Sequence, residues 1–152
     1  MFYYTVDYTA LFGTIDEEVS RVADAAYSEQ GVPLYDEIVI TRRDFDTVMS
    51  MMNNALSAIV NRCKDICRYS PTSVGSAETM RLAFYVPDFD EANNGDAVRD
   101  ELSRFITNSS VEQYLTQRHP ASVPEYDQRA QAALTKAVSL LKTRKAPLES
   151  WT

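Results

Sequence analysis

Asp90, Asn94, Gly95 and Glu101 occupy positions one, five, six and twelve of a twelve-residue stretch. A calcium loop places ligands at one, five and twelve and its turn glycine at six. Position three is Ala92, which offers no oxygen. The segment before the stretch reads as a strand ended by Pro87, where an EF-hand needs a helix. Asp90, Asn94 and Glu101 are therefore weak metal candidates, and no metal or cofactor is expected. The plainer reading is a turn at Asn94-Gly95 opening a helix whose first turn carries Asp96 and Asp100, where the helix dipole favours anions.

Other chemistry is thinner. Cys63 and Cys67 are the only cysteines and His119 the only histidine, whereas a structural zinc takes four ligands. The two cysteines read as reduced core thiols. His119 precedes Pro120 at a helix end and reads as a loop residue or a helix-terminal cation. Asp44 with Asp46, or Asp88 with Asp90, could be written as acid–base pairs, but an acidic chain carries many such pairs on solvated faces. The sequence holds no Gly-rich phosphate loop, no HExxH and no GxSxG. No catalytic residue is assigned, and the chain is read as a non-enzyme.

The elements that would position these groups follow from periodicity. The chain has 152 residues, enough for one domain with a real core, and 45% are hydrophobic, as in globular proteins. Its formal net charge of −7 disfavours generic binding to nucleic acid or anionic membrane. No run approaches the ~20 apolar residues of a membrane span, and the N-terminus lacks the pattern of a signal peptide. The basic cluster at Lys142, Arg144 and Lys145 suits the last turn of a helix.

Between Thr41 and Tyr69, Phe45, Met49, Met52, Leu56, Ile59, Cys63 and Ile66 alternate by four and three. That is one helix face, flanked by Val48, Ala55, Val60 and Cys67. The spacing predicts a central helix over 41–69, capped by Thr41 and Asp44 and about 40 Å long. Around it the sequence predicts an N-terminal strand at 1–9 and a helix at 14–29 opened by a Thr14–Glu17 capping box. A short strand ending at Ile40 and a loop from Ser70 to Ala77 follow. Next come a strand at 79–86 and a helix at 96–118 interrupted near 108–110. A helix at 122–145, opened by a Ser122–Glu125 capping box, leads to a tail at 146–152. The expected fold is a single α+β domain over 1–152, mainly α. About four helices surround one long central helix, with a small antiparallel sheet.

Nine tyrosines and one tryptophan are a generous supply of residues that favour half-wet surfaces, including interfaces. Phe2, Tyr3, Tyr4 and Tyr8 near one terminus, with Leu148 and Trp151 near the other, are the candidate partner-binding residues. Tyr114-Leu115, the Pro120-x-x-x-Pro124-x-Tyr126 connection and the closing Leu140-Leu141-x-x-Arg144-Lys145-x-Pro147 resemble a group of small virion structural proteins. These are proteins of the neck or head–tail connector type, from tailed phages and prophages of gut Bacteroidetes. The resemblance covers residues 80 to 147. It implies a structural or assembly subunit present in many copies, partnered by itself and by other structural proteins, and located in the virion. The alternative is a cytoplasmic helical adaptor or self-associating protein; a small calcium-binding or metal-dependent protein ranks third.

Overall fold

A computed structural model describes residues 1–70, 72–74 and 77–144. Five strands and five helices follow in the order β1 (Phe2–Thr5), α1 (Tyr8–Ala25), α2 (Tyr35–Ile38), α3 (Phe45–Arg62), β2 (Cys67–Tyr69), β3 (Thr72–Val74), β4 (Ala77–Thr79), β5 (Arg81–Phe84), α4 (Glu91–Leu115) and α5 (Val123–Leu141). Single 3-10 turns at Arg42–Asp44 and Pro120–Ser122 lead into α3 and α5. β1 and β2 each pair antiparallel with the middle strand β5, and β3 pairs antiparallel with β4. The architecture is the expected α+β, mainly α, with four long helices and a small antiparallel sheet.

Several boundaries differ from those expected. The N-terminal strand stops at Thr5, because the Asp7 carboxylate accepts the Ala10 N–H at 3.1 Å and starts a helix at Tyr8. Gly13 lies inside α1, and Thr14 opens no helix; its hydroxyl donates to the Ala10 carbonyl one turn back. After α1, Ser28 to Val32 form a turn in which Gly31 takes a φ of 79°, a conformation that suits glycine. The expected short strand ending at Ile40 is instead the one-turn helix α2. Residues 72–74 and 77, expected in a loop, form the β3–β4 pair together with Glu78 and Thr79, and the strand expected at 79–86 is β5, which begins only at Arg81 and ends at Phe84.

The helix expected over 41–69 is shorter, about 27 Å of α-helix. Its capping box forms, with the Asp44 carboxylate accepting the Thr41 N–H at 3.0 Å. Past Cys63 the chain turns into β2, because β5 has two edges and β1 covers only one. Its buried stripe is also rotated. Val48, Met52, Ala55, Leu56 and Ile59 are buried, whereas Phe45 is 48% exposed and Met49 only partly covered.

The long helix at the centre is α4, about 38 Å from Glu91 to Leu115. It packs on α1, α3 and α5 and under β1. That explains why no interruption occurs near 108–110. Val111, Tyr114 and Leu115 lie on a rotated face because α4 has neighbours on several sides. Asn108 stays in register by donating to the Arg104 carbonyl at 2.8 Å. α5 runs antiparallel to α4, with Lys136 reaching Glu101 at 3.4 Å. Ala130, Ala133 and Ala137 are buried along it and allow close approach.

Ser110 is wholly buried in α4, and its hydroxyl has no hydrogen-bond partner among the described residues. An unsatisfied buried hydroxyl costs about 1–3 kcal/mol. Ser110→Ala is expected to raise stability to urea by about 1 kcal/mol. A loss of stability instead would mean that the hydroxyl has a partner, such as a buried water.

Asp44 ties the start of α3 to the end of α4. Its carboxylate accepts from Arg118 at 2.9 Å and from the Tyr114 hydroxyl at 3.3 Å, and that hydroxyl also lies 3.0 Å from the Val39 carbonyl. Burial pushes the Asp44 carboxyl up, but the Thr41 hydrogen bonds, the Arg118 charge and the Tyr114 hydroxyl outweigh it, and the net shift is downward. A carboxyl held low when folded adds stability above its unfolded value, and that stability is lost as pH falls through the folded value. Asp44→Asn is therefore expected to lower the urea midpoint at pH 7. The gap from the parent should close progressively below the ordinary carboxyl value of 3.8. A gap that does not change with pH would show that the charge contributes nothing.

Candidate interaction surface

The calcium candidates do not form a loop. Asp90 caps α4, accepting the Asn93 N–H at 3.4 Å, and its other oxygen takes the Asn93 amide at 2.8 Å. Asn94 and Glu101 lie on the helix that follows, so Asp90 and Glu101 stand about 16 Å apart along one axis. Glu101 is buried and paired with Arg104 at 2.7 Å and Lys136 at 3.4 Å. The three residues are not brought together. No cluster of three metal-binding side chains occurs among the described residues.

The other candidates have local partners. His119 Nδ1 lies 2.8 Å from the Ser122 hydroxyl across the 3-10 turn before α5. That engages the Ser122 side chain, and Glu125 pairs with Arg129, so the expected Ser122–Glu125 capping box does not form. Cys63 ends α3 and Cys67 lies on β2; both are buried free thiols. Burial and the neighbouring Cys63 push the Cys67 thiol up to about 12, and burial raises Cys63 as well. Neither is a thiolate nucleophile near neutral pH. A cleft of about 440 Å³ lies where β1 and α1 face α4 and α5. Several of its polar groups already have partners: the Tyr4 and Ser103 hydroxyls meet at 2.8 Å, Asp7 caps α1, and Arg104 holds Glu101.

The candidate partner residues at the N-terminus separate by the period of the strand. Phe2 and Tyr4 are 2% and 3% exposed. They belong to the core of this chain, and the expectation that they meet a partner is corrected. They face inward because β1 lays alternate residues on α4; the Phe2 ring meets Phe84 and Phe89. Tyr3 points outward, with the Arg81 guanidinium over its ring at 4.2 Å. Tyr8 is half-buried and donates to Asn53 Oδ1 at 2.9 Å. Leu148 and Trp151 lie outside the described residues.

One surface was not singled out by the sequence reading. Tyr8 and Phe12 on α1 face Asn53 and Phe45 on α3, in antiparallel order. The Phe12 and Phe45 rings sit 5.3 Å apart. Beside them is an open groove of about 490 Å³, lined also by Ile40, Asp16, Thr41 and Arg42. Tyr69, exposed at the sheet edge, meets the Ser57 hydroxyl of α3 at 3.0 Å. The signal in the sequence is Tyr8, Phe12 and Asp16 at i, i+4 and i+8. It appears only once the helix is started at Tyr8 rather than Thr14.

The chain matches no protein-family profile, no curated protein and no solved structure. No helix among the described residues is long and apolar enough to cross a membrane.

Proposed function

We propose that this chain is a non-enzymatic structural or assembly subunit that presents aromatic side chains to neighbouring chains, set in the neck or head–tail connector of a phage particle. The observation that carries the assembly reading is the set of large aromatic side chains left open on regular elements. Phe45 on α3, Tyr3 on β1 and Tyr69 on β2 are all exposed. Tyrosine and phenylalanine held on helices and strands give contact area at little entropic cost, which is what interfaces use. The virion setting rests on the resemblance of residues 80–147, which include β5, α4 and α5.

The test has two arms. Portal and tail genes beside the gene, with the chain recovered in purified particles by mass spectrometry, support the virion setting. Cellular neighbours, with the chain recovered in soluble complexes, would replace it with the cytoplasmic adaptor reading. A chain with no partner in either fraction would overturn the assembly reading itself.

A further inference from the structure

We infer that the outward face of the β1–β5–β2 sheet binds single-stranded nucleic acid. This goes beyond the assembly reading, whose Phe45 and Tyr69 lie on the helix side of the sheet with α3. Alternation along the strands sends Phe2, Tyr4, Leu82, Phe84 and Cys67 into the core. The residues between them point out. The register sets Tyr3 and Arg68 on either side of Ala83, in one row across the sheet. Arg81 and Tyr85 precede and follow Ala83 on the same face. Tyr85 is 65% exposed and Tyr3 37%. As diagonal neighbours on adjacent strands, the two tyrosines stand about 7–8 Å apart, so one ligand can touch both rings. The small Ala83 leaves the floor between Tyr3 and Arg68 low.

The charge on this face has one sign. The three strands carry Arg68 and Arg81 and no carboxylate, in a chain with 22 acidic residues and 15 Lys and Arg. Arg68 forms no ion pair among the described residues. Arg81 donates through Nε to the Ser70 carbonyl and hydroxyl, with its guanidinium over the Tyr3 ring. Those partners are neutral, so its charge is uncompensated. A matching ligand is anionic and carries flat faces. Each nucleotide of a single strand supplies both, a base to stack on tyrosine and a phosphate for an arginine. Sheets with aromatics on adjacent strands stack bases in this way. A duplex keeps its bases stacked on each other, and an acidic protein segment brings charge with few flat faces. The net charge of −7 opposes generic, charge-driven binding rather than stacking at one patch.

Fluorescence anisotropy of a dye-labelled single-stranded DNA of about 10 nucleotides, titrated with the full chain at low salt, tests this. Saturable binding is expected, with log K falling against log[salt] at a slope of about −1.4, as for two phosphates of a single strand. Tyr85→Ala should weaken binding about fivefold or more. Arg68→Ala should weaken it and flatten the slope by about 0.7. Both side chains are exposed, so circular dichroism should not change. Tyr27→Ala is the control. It removes a similarly open tyrosine beyond the far end of α1, about 27 Å along that helix from β1, and should change nothing. A parent without saturable binding overturns the inference, as does binding indifferent to Tyr85→Ala. Equal binding of a poly-glutamate peptide, or of the same DNA as a duplex, overturns it too, because the face would then select charge alone. The assembly reading is scored separately, by recovery of the chain in particles or complexes.

Discussion

Phe2→Ala is expected to cost about 3–5 kcal/mol, a large share of the ~5–15 kcal/mol by which a domain is stable. The ring is 2% exposed and lies against Phe84 at 5.9 Å and edge-on to Phe89 at 5.2 Å. The Arg99 guanidinium covers it at 4.6 Å. A Cβ placed on Gly95 would lie 3.5 Å from the ring, so α4 approaches closely there. Truncation removes the ring's burial and leaves a cavity between the sheet and α4, which a rigid helix cannot close. Tyr3→Ala, one residue along, is the control. Its side chain is on the outer face against Arg81, and about 1 kcal/mol or less is expected. Urea unfolding of the two variants decides the matter; equal costs would mean that β1 does not alternate as described. The same packing bears on truncation. Deleting residues 1–8 would remove Phe2, Tyr4, an edge strand and the Asp7 cap together. Lost assembly in that variant would report unfolding, not a partner contact.

In α3, Leu56→Ala and Ile59→Ala are each expected to cost about 2–5 kcal/mol. Both side chains are at most 1% exposed. The more discriminating comparison lies one turn from the start of the helix. Val48 is fully buried, whereas Phe45 is 48% exposed. Val48→Ala should therefore cost on the order of 1–3 kcal/mol. Phe45→Ala, although it removes more atoms, should cost less, because about half of the residue is already exposed. Measured by urea unfolding at a concentration where the chain is monomeric, the reverse order would restore the stripe read from the sequence, with Phe45 on its seam.

Periodicity was sufficient for the fold class, for the alternation of β5 and for Leu56 and Ile59 in the core. These depend on local spacing, which a helix or strand converts directly into one face. The places where it misled share one cause: local pattern does not say how many neighbours an element has. Cys63 and Ile66 extend the four–three pattern of α3, yet residues 67–69 leave it to pair with the open edge of β5. The rotated apolar residues of α4 suggest a break at 108–110. The helix instead runs on without a break, because α1, α3 and α5 surround it. Thr14 and Glu17 make a good capping box, but Asp7 takes the helix start six residues earlier, at Tyr8.

The candidate site divides in the same way. That Tyr3 and Phe2 face opposite sides follows from strand geometry and could be read in the sequence, although both were expected at a partner surface. That Phe12 and Phe45, thirty-three positions apart, share one groove with Asp16 and Arg42 was not. Their proximity is set by the antiparallel placement of α1 and α3, a relation between helices that no local spacing encodes. The sequence determined which residues could be sticky or charged; the tertiary arrangement decided which of them remained on the surface and in whose company.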